Sequence, residues 1–219
     1  MEKLTLKILK AEAVAFCEDM SKKNHKLLIG VTDGKAVGTY VEHRFQEMLS
    51  QKYDMQVGSS AKGIDLPDEH IETDIKVTSI TQPQSSCPYR DAKQKIFGLG
   101  YNLLVFVYDK RDTADSCYLK FTHCTFIPKQ HTADYTTTRR LREMLNDGAN
   151  KEDIIAYLED RSIPGDAITY NEIADAILIT CPQQGYLTIS NALQWRLQYS
   201  RVISLRNTVE GIVNNEWEA

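Results

Sequence analysis

The sequence predicts an α/β fold: a mixed sheet flanked by helices, with a helical subdomain at the C-terminal end. Three observations predict it. Residues 4–21 and 35–52 carry apolar side chains at helical spacing. Residues 71–127 hold short alternating or apolar runs of strand length. Beyond about residue 130 the apolar spacing returns to the helical period.

In the first helix, residues 4–21, Leu9, Ala13, Phe16 and Met20 recur at steps of four, three and four. The basic run Lys22-Lys23-Asn24-His25-Lys26 follows as a solvated helix end, with cations near the negative pole of the helix. Val37, Val41, Phe45, Met48 and Leu49 form the buried stripe of the second helix, residues 35–52, with Glu42 beside it. Residues 53–58 suggest a short strand. A second strand ends near Asp65, and a third spans 72–79. The prolines, glutamines and small polar residues of 81–88 read as a loop, and 89–98 as a helix broken by Gly98 and Gly100. The apolar run 101–108 reads as a strand covered on both faces, and 116–127 as another strand.

Four helices are expected after that. The first covers 138–147 and ends at Gly148. The second covers 150–161 with Asn150 as N-cap. The third opens on a capping box, Thr169 to Glu172. The fourth starts near Thr188 or Ser190 and includes Leu193, Leu197 and Val202. The chain divides on this reading into residues 1–130 and 131–219.

The 219 residues are 42% hydrophobic and 26% charged, the balance of a globular protein with a sizeable core. No apolar run is long enough to span a membrane, and the N-terminus lacks a signal-peptide core. Five scattered cysteines without a Cys-x-x-Cys pair fit a reducing cytoplasm better than a disulfide framework or zinc module.

Residues 63–79 carry the chemistry: Gly-Ile-Asp-Leu-Pro-Asp-Glu-His-Ile-Glu-Thr-Asp-Ile-Lys-Val-Thr-Ser. Strand side chains alternate, so Glu72, Asp74 and Lys76 are expected on one face and Ile71, Ile75 and Val77 on the other. Asp65 and Asp74 are the residue types that bind a hard divalent cation. Such a cation acidifies water and neutralises phosphodiester charge. Lys76 suits the orientation of that water and the stabilisation of developing charge. Glu72 is a second acid, so Glu72 and Asp74 are alternative carriers of the ligand role.

This pattern, an acid, a gap, then Asp-x-Lys, resembles the PD-(D/E)XK nuclease superfamily through Asp65, Asp74 and Lys76. Gly63-Ile64 stands before Asp65, where the family's name would put proline. The element order across residues 35–110 agrees with that family's core. The resemblance implies a restriction-endonuclease-like sheet, catalysis by Asp65, Asp74 and Lys76, and metal binding by Asp65, Asp74, Glu42 and Glu72. The expected ion is Mg²⁺, with Mn²⁺ able to replace it. Size and the added helical region suit a Type II restriction endonuclease, which implies double-stranded DNA as substrate, a homodimer and a cognate methyltransferase. Alternatives are a junction-resolving or repair nuclease of the same fold, and a non-catalytic DNA-binding regulator.

For base contact the expected residues are Gln82, Gln84, Ser85, Ser86, Tyr89 and Arg90, which follow the catalytic strand. Residues 190–197 faintly resemble a recognition helix. The net charge of −4 and pI of 5.8 confine backbone contacts to local patches. These are Lys93 with Lys95, the Arg139–Arg140–Arg142 cluster, and Arg196 with Arg201.

Overall fold

The computed structural model describes residues 1–58, 63–86, 91–190, 196–205 and, as backbone, 213–215. The chain forms two compact units. The first comprises Met1–Ser85, Tyr101–Pro128 and the described part of Val202–Ala219; the second comprises Ser86–Gly100 and Lys129–Arg201.

In the first unit, β1 (Glu2–Lys3) precedes α1 (Leu6–Ser21), whose N-cap Thr5 accepts the Ile8 N–H through its hydroxyl. The N-cap of α2 (Gly34–Lys52) is Asp33, which accepts the Lys35 N–H. Next, β2 (Tyr53–Asp54) pairs in parallel with β1. The expected strand 53–58 is thus only two residues long. Residues 55–58 instead run irregularly, and the Gln56 N–H is taken by the Asp68 carboxylate.

The main sheet holds β3 (Thr73–Ser79), β5 (Asn102–Asp112), β6 (Cys117–Ile127) and β9 (Val213–Asn215), in that order. The strand β3 runs parallel to β5, whereas β5 and β6 form an antiparallel hairpin. The sheet is therefore mixed, as expected. Phe16 of α1 and Phe45 of α2 pack on Phe106 and Phe121, with ring centroids 5.0 Å apart for Phe16–Phe45 and 5.1 Å for Phe45–Phe106. Phe45 is wholly buried, and truncating it to alanine costs about 3–5 kcal/mol. This packing fixes α2 beside β3 and so fixes the backbone that carries Glu42.

The second unit contains β4 (Gln84–Ser86) in part, α3 (Lys93–Phe97), α4 (Tyr135–Asn146), α5 (Lys151–Asp160), α6 (Ala167–Ile179), β7 (Thr188–Ile189) and β8 (Arg196–Gln198); α7 (Ser200–Leu205) follows. Its core joins Ile96, Leu141, Ile154, Leu158, Ile163, Ile173 and Ile177. Asn150 caps α5 in a full capping box with Asp153.

Two expectations fail here. The cap of α6 is Asp166, whose carboxylate accepts both the N–H and the hydroxyl of Thr169; Thr169 therefore lies inside the helix. The expected fourth helix is replaced by strands at 188–189 and 196–198, with Ile189 opposite Leu197 in an antiparallel pair that buries both, and only its last part is helical, in α7. Leu193 and Leu197 have helical spacing in the sequence, yet Leu197 gains its burial from strand pairing; Val202 does lie in a helix, α7. Trp195 and Leu193 lie outside the described residues.

Candidate active site

Asp65 is placed by backbone contacts. Leu66 and Thr73 form an isolated antiparallel bridge, with both N–H···O distances 3.0 Å. Gly58 donates its N–H to the Asp65 carbonyl at 2.8 Å. A Cβ on Gly58 would stand 1.9 Å from the Ile64 carbonyl oxygen, so only glycine permits this approach. Among the described residues the Asp65 segment is not the strand expected, because one bridge is its only strand-like pairing there. That bridge still suffices to align it with β3. The Asp65 carboxylate accepts the Ile75 N–H at 2.7 Å. It thereby satisfies a backbone donor of β3 and lies alongside Asp74.

Asp74 is 4% exposed. Lys76, two residues on, reaches its carboxylate at 2.6 Å. Burial pushes the Asp74 carboxyl up to about 7; the neighbouring Asp65 adds to the rise and the Lys76 ammonium opposes it. Glu42, half-buried on α2, is likewise pushed up to about 7, first by burial and then by the charge and hydrogen bond of Asp65, with Lys76 opposing. The fold therefore brings Glu42, Asp65, Asp74 and Lys76 into one electrostatic cluster from three separate segments.

Three crowded carboxyls repel one another, and a divalent cation would relieve that repulsion. Among the described residues no three His, Cys, Asp or Glu side chains hold a metal by themselves. A hard cation that keeps several waters and binds substrate phosphate needs only one or two protein carboxylates, so the donor set fits a hard divalent cation held in that way rather than an all-protein cage.

Glu72 does not stand on β3 as expected. Its backbone takes φ 34, outside strand geometry, and β3 begins only at Thr73. The alternation that places Asp74 and Lys76 on one face does not extend back to 72. The turn that holds it is built by Asp68, whose carbonyl accepts the N–H groups of Ile71 and Glu72.

Sequence reading missed the residue that locks this turn. Asn102, 7% exposed, donates its amide to the Ile71 carbonyl at 2.8 Å and its backbone N–H to the Glu72 carbonyl at 2.7 Å. A lone asparagine opening an apolar strand was the available signal. The missed role of Gly58 had no signal beyond the glycine itself.

Of the expected DNA-contacting residues, Gln82 is exposed while Gln84 and Ser85 are half-buried, all in the first unit; Ser86 is exposed. Tyr89 and Arg90 lie outside the described residues. Lys93 pairs with Glu172 at 3.3 Å. Lys95 is 4% exposed, and its burial pulls its pKa down, so it does not belong to an exposed cationic patch. Arg139 and Arg140 stand near Glu143, and Arg142 donates to the Pro182 carbonyl at 2.8 Å. The Arg196 side chain is exposed on β8, not on a recognition helix. The Arg201 guanidinium stacks on the Tyr135 ring, 3.8 Å from its centroid.

The family model of the Type II restriction enzyme NspV matches residues 3–214. The chain is 50% identical over 212 residues to the Type II restriction enzyme NspV of a Nostoc species, covering 96% of each chain. No solved structure matches. The chain belongs to the NspV family of Type II restriction enzymes, the site-specific endodeoxyribonucleases.

Proposed function

We propose that this chain hydrolyses phosphodiester bonds of double-stranded DNA at a specific sequence, with Mg²⁺ held at the Glu42–Asp65–Asp74–Lys76 cluster. The carrying observation is that these four side chains, drawn from three segments, converge at the buried Asp74. Type II restriction enzymes generally use divalent ions. Mn²⁺ is the expected substitute here.

Asp65 and Asp74 are the ligands, and Glu42 adds a third acid at the rim. When bound, the cation offsets phosphate charge and lowers the pKa of water. Asp74 would meet the cation as a carboxylate, the form in which it pairs with Lys76. Lys76 leaves its ion pair with Asp74 to orient the attacking water and meet charge developing on the phosphate. The Leu66–Thr73 bridge and the Asn102 clamp hold the acids at fixed separation, which supplies preorganisation.

Residues 82–86, with Tyr89 and Arg90, are proposed to read bases. Lys93, Arg196 and Arg201 are proposed to contact backbone. The division of labour is a catalytic sheet unit and a helical unit for DNA contact or dimerisation. A homodimer places one site on each strand, and a cognate methyltransferase protects the host sequence. No helix among the described residues is long and apolar enough to cross a membrane; the cytoplasm is the proposed location.

The test is incubation of purified protein and the Asp74→Ala variant with unmethylated phage DNA in Mg²⁺. Discrete fragments from the unmodified protein alone are expected. A smear would favour a non-specific or repair nuclease. Binding without cleavage by the unmodified protein would favour a regulator.

A further inference from the structure

The strand that carries Asp74 and Lys76 also carries Thr78 on the same face, by the alternation of strand side chains. Thr78 is 5% exposed, and its hydroxyl has three backbone neighbours beyond the strand end. It accepts the Gln84 N–H at 3.0 Å, and its own proton lies between the carbonyls of Gln82 and Gln84, each 3.2 Å away. The Gln84 N–H also reaches the Gln82 carbonyl at 2.8 Å. A single buried hydroxyl thus gathers the start of the segment proposed to read bases. At ~3.3 Å per residue, that hydroxyl's Cα lies roughly 7 Å along β3 from Lys76.

We propose that Thr78 is a positioning residue for sequence discrimination: its hydroxyl sets Gln82 and Gln84 in register with the catalytic face of β3. This rests on the reading of Gln82–Ser85 as base-contacting. The physical case is geometric. Gln82 is exposed, so its own side chain does not fix it. An amide that distinguishes base edges must arrive within hydrogen-bond tolerance while the phosphate meets Lys76. A segment tied to β3 by its backbone meets that requirement whatever its side chains do, and the Thr78 hydroxyl supplies that tie for Gln82 and Gln84. Valine matches threonine in shape and lacks that hydroxyl, whereas serine keeps it.

The experiment compares unmodified protein, Thr78→Val and Thr78→Ser on two duplexes, one carrying the mapped cleavage sequence and one with a single base pair changed. The readout is the ratio of kcat/KM between duplexes, alongside Mn²⁺ binding by calorimetry without DNA. Thr78→Val is expected to lower the ratio about tenfold, the scale of one base-pair contact, with Mn²⁺ affinity unchanged and Thr78→Ser restoring the ratio. An unchanged ratio in Thr78→Val, when Gln82→Ala lowers it, overturns the inference and leaves base reading intact. An unchanged ratio in Gln82→Ala and Gln84→Ala as well overturns the base-reading segment itself. Equal losses on both duplexes with weakened Mn²⁺ binding overturn the inference in favour of general support of the site. Where Thr78→Val does not fold, Thr78→Cys, which weakens the acceptor and donor at the same place, takes its part under the same expectations.

Discussion

Two strands of the main sheet carry the same local pattern and use it differently. In β3, Asp74 and Lys76 stand two residues apart on one face and form an ion pair; in β5, Lys110 and Asp112 do the same in reverse order. At the hairpin end Asp112 is exposed, and its carboxyl lies below the usual range. Lys110 is the first cause, helped by the Cys117 thiol and the Gly30 N–H at 3.2 Å. Asp74 is buried beside Asp65, and its carboxyl is raised to about 7 despite an equally close lysine. The spacing of acid and base therefore does not make a site. Burial and a second acid do, because they raise the free energy of the charged carboxylate until a stronger cation than lysine is needed to hold it.

The comparison breaks most visibly by substitution. Asp74→Ala is expected to bring cleavage below detection while duplex binding in Ca²⁺ persists; Asp112→Ala is expected to leave cleavage near that of the unmodified protein. Comparable losses from both would erase the distinction. Lys76→Ala is expected to lower kcat by roughly 10²–10³-fold with KM little changed. An equal loss of affinity would make Lys76 a phosphate anchor instead. Asn102→Ala, which frees the turn before β3, is expected to weaken Mn²⁺ binding by about 10-fold, and calorimetry without DNA reads it.

The smallest effect is on stability. Asp74 and Glu42 have folded-state pKa values above their ordinary ones, so between about pH 4 and 7 these two groups hold more protons in the folded chain than in the unfolded one. Their contribution to stability in chelator is therefore full below that window and falls as pH rises through it. Thermal melts in chelator should show that decline, and Asp74→Asn should flatten it. A decline of the same slope in Asp74→Asn would remove Asp74 from the account.

The same comparison explains what the sequence could reveal. The period of two in a strand was enough to place Asp74 opposite Ile75, and the stripe of α2 was enough to leave Glu42 beside it. Both features depend on neighbours within a few residues. Glu72 was misplaced because the φ 34 turn is imposed by Asn102, thirty residues downstream, and by the Asp68 carbonyl. The strand β8 was missed because Leu193 and Leu197, four residues apart, fit a helical spacing equally well, and pairing with Ile189 selects the strand at Leu197. The start of α6 was misread because Asp166 outcompetes Thr169 for the cap: a carboxylate accepts both donors that Thr169 offers. Local periodicity was legible, and contacts set by distant backbone were not.

The central claim is that the buried Asp74 cluster, and not the exposed Asp112 pair, is the cation-dependent catalytic centre. The most direct measurement is Mn²⁺ titration of the unmodified protein, Asp74→Asn and Asp112→Asn by calorimetry, each followed by Mg²⁺-dependent cleavage of the same phage DNA. The account predicts that Asp74→Asn alone loses both cation binding and cleavage. Retention of both by Asp74→Asn, or their loss in Asp112→Asn, would contradict it.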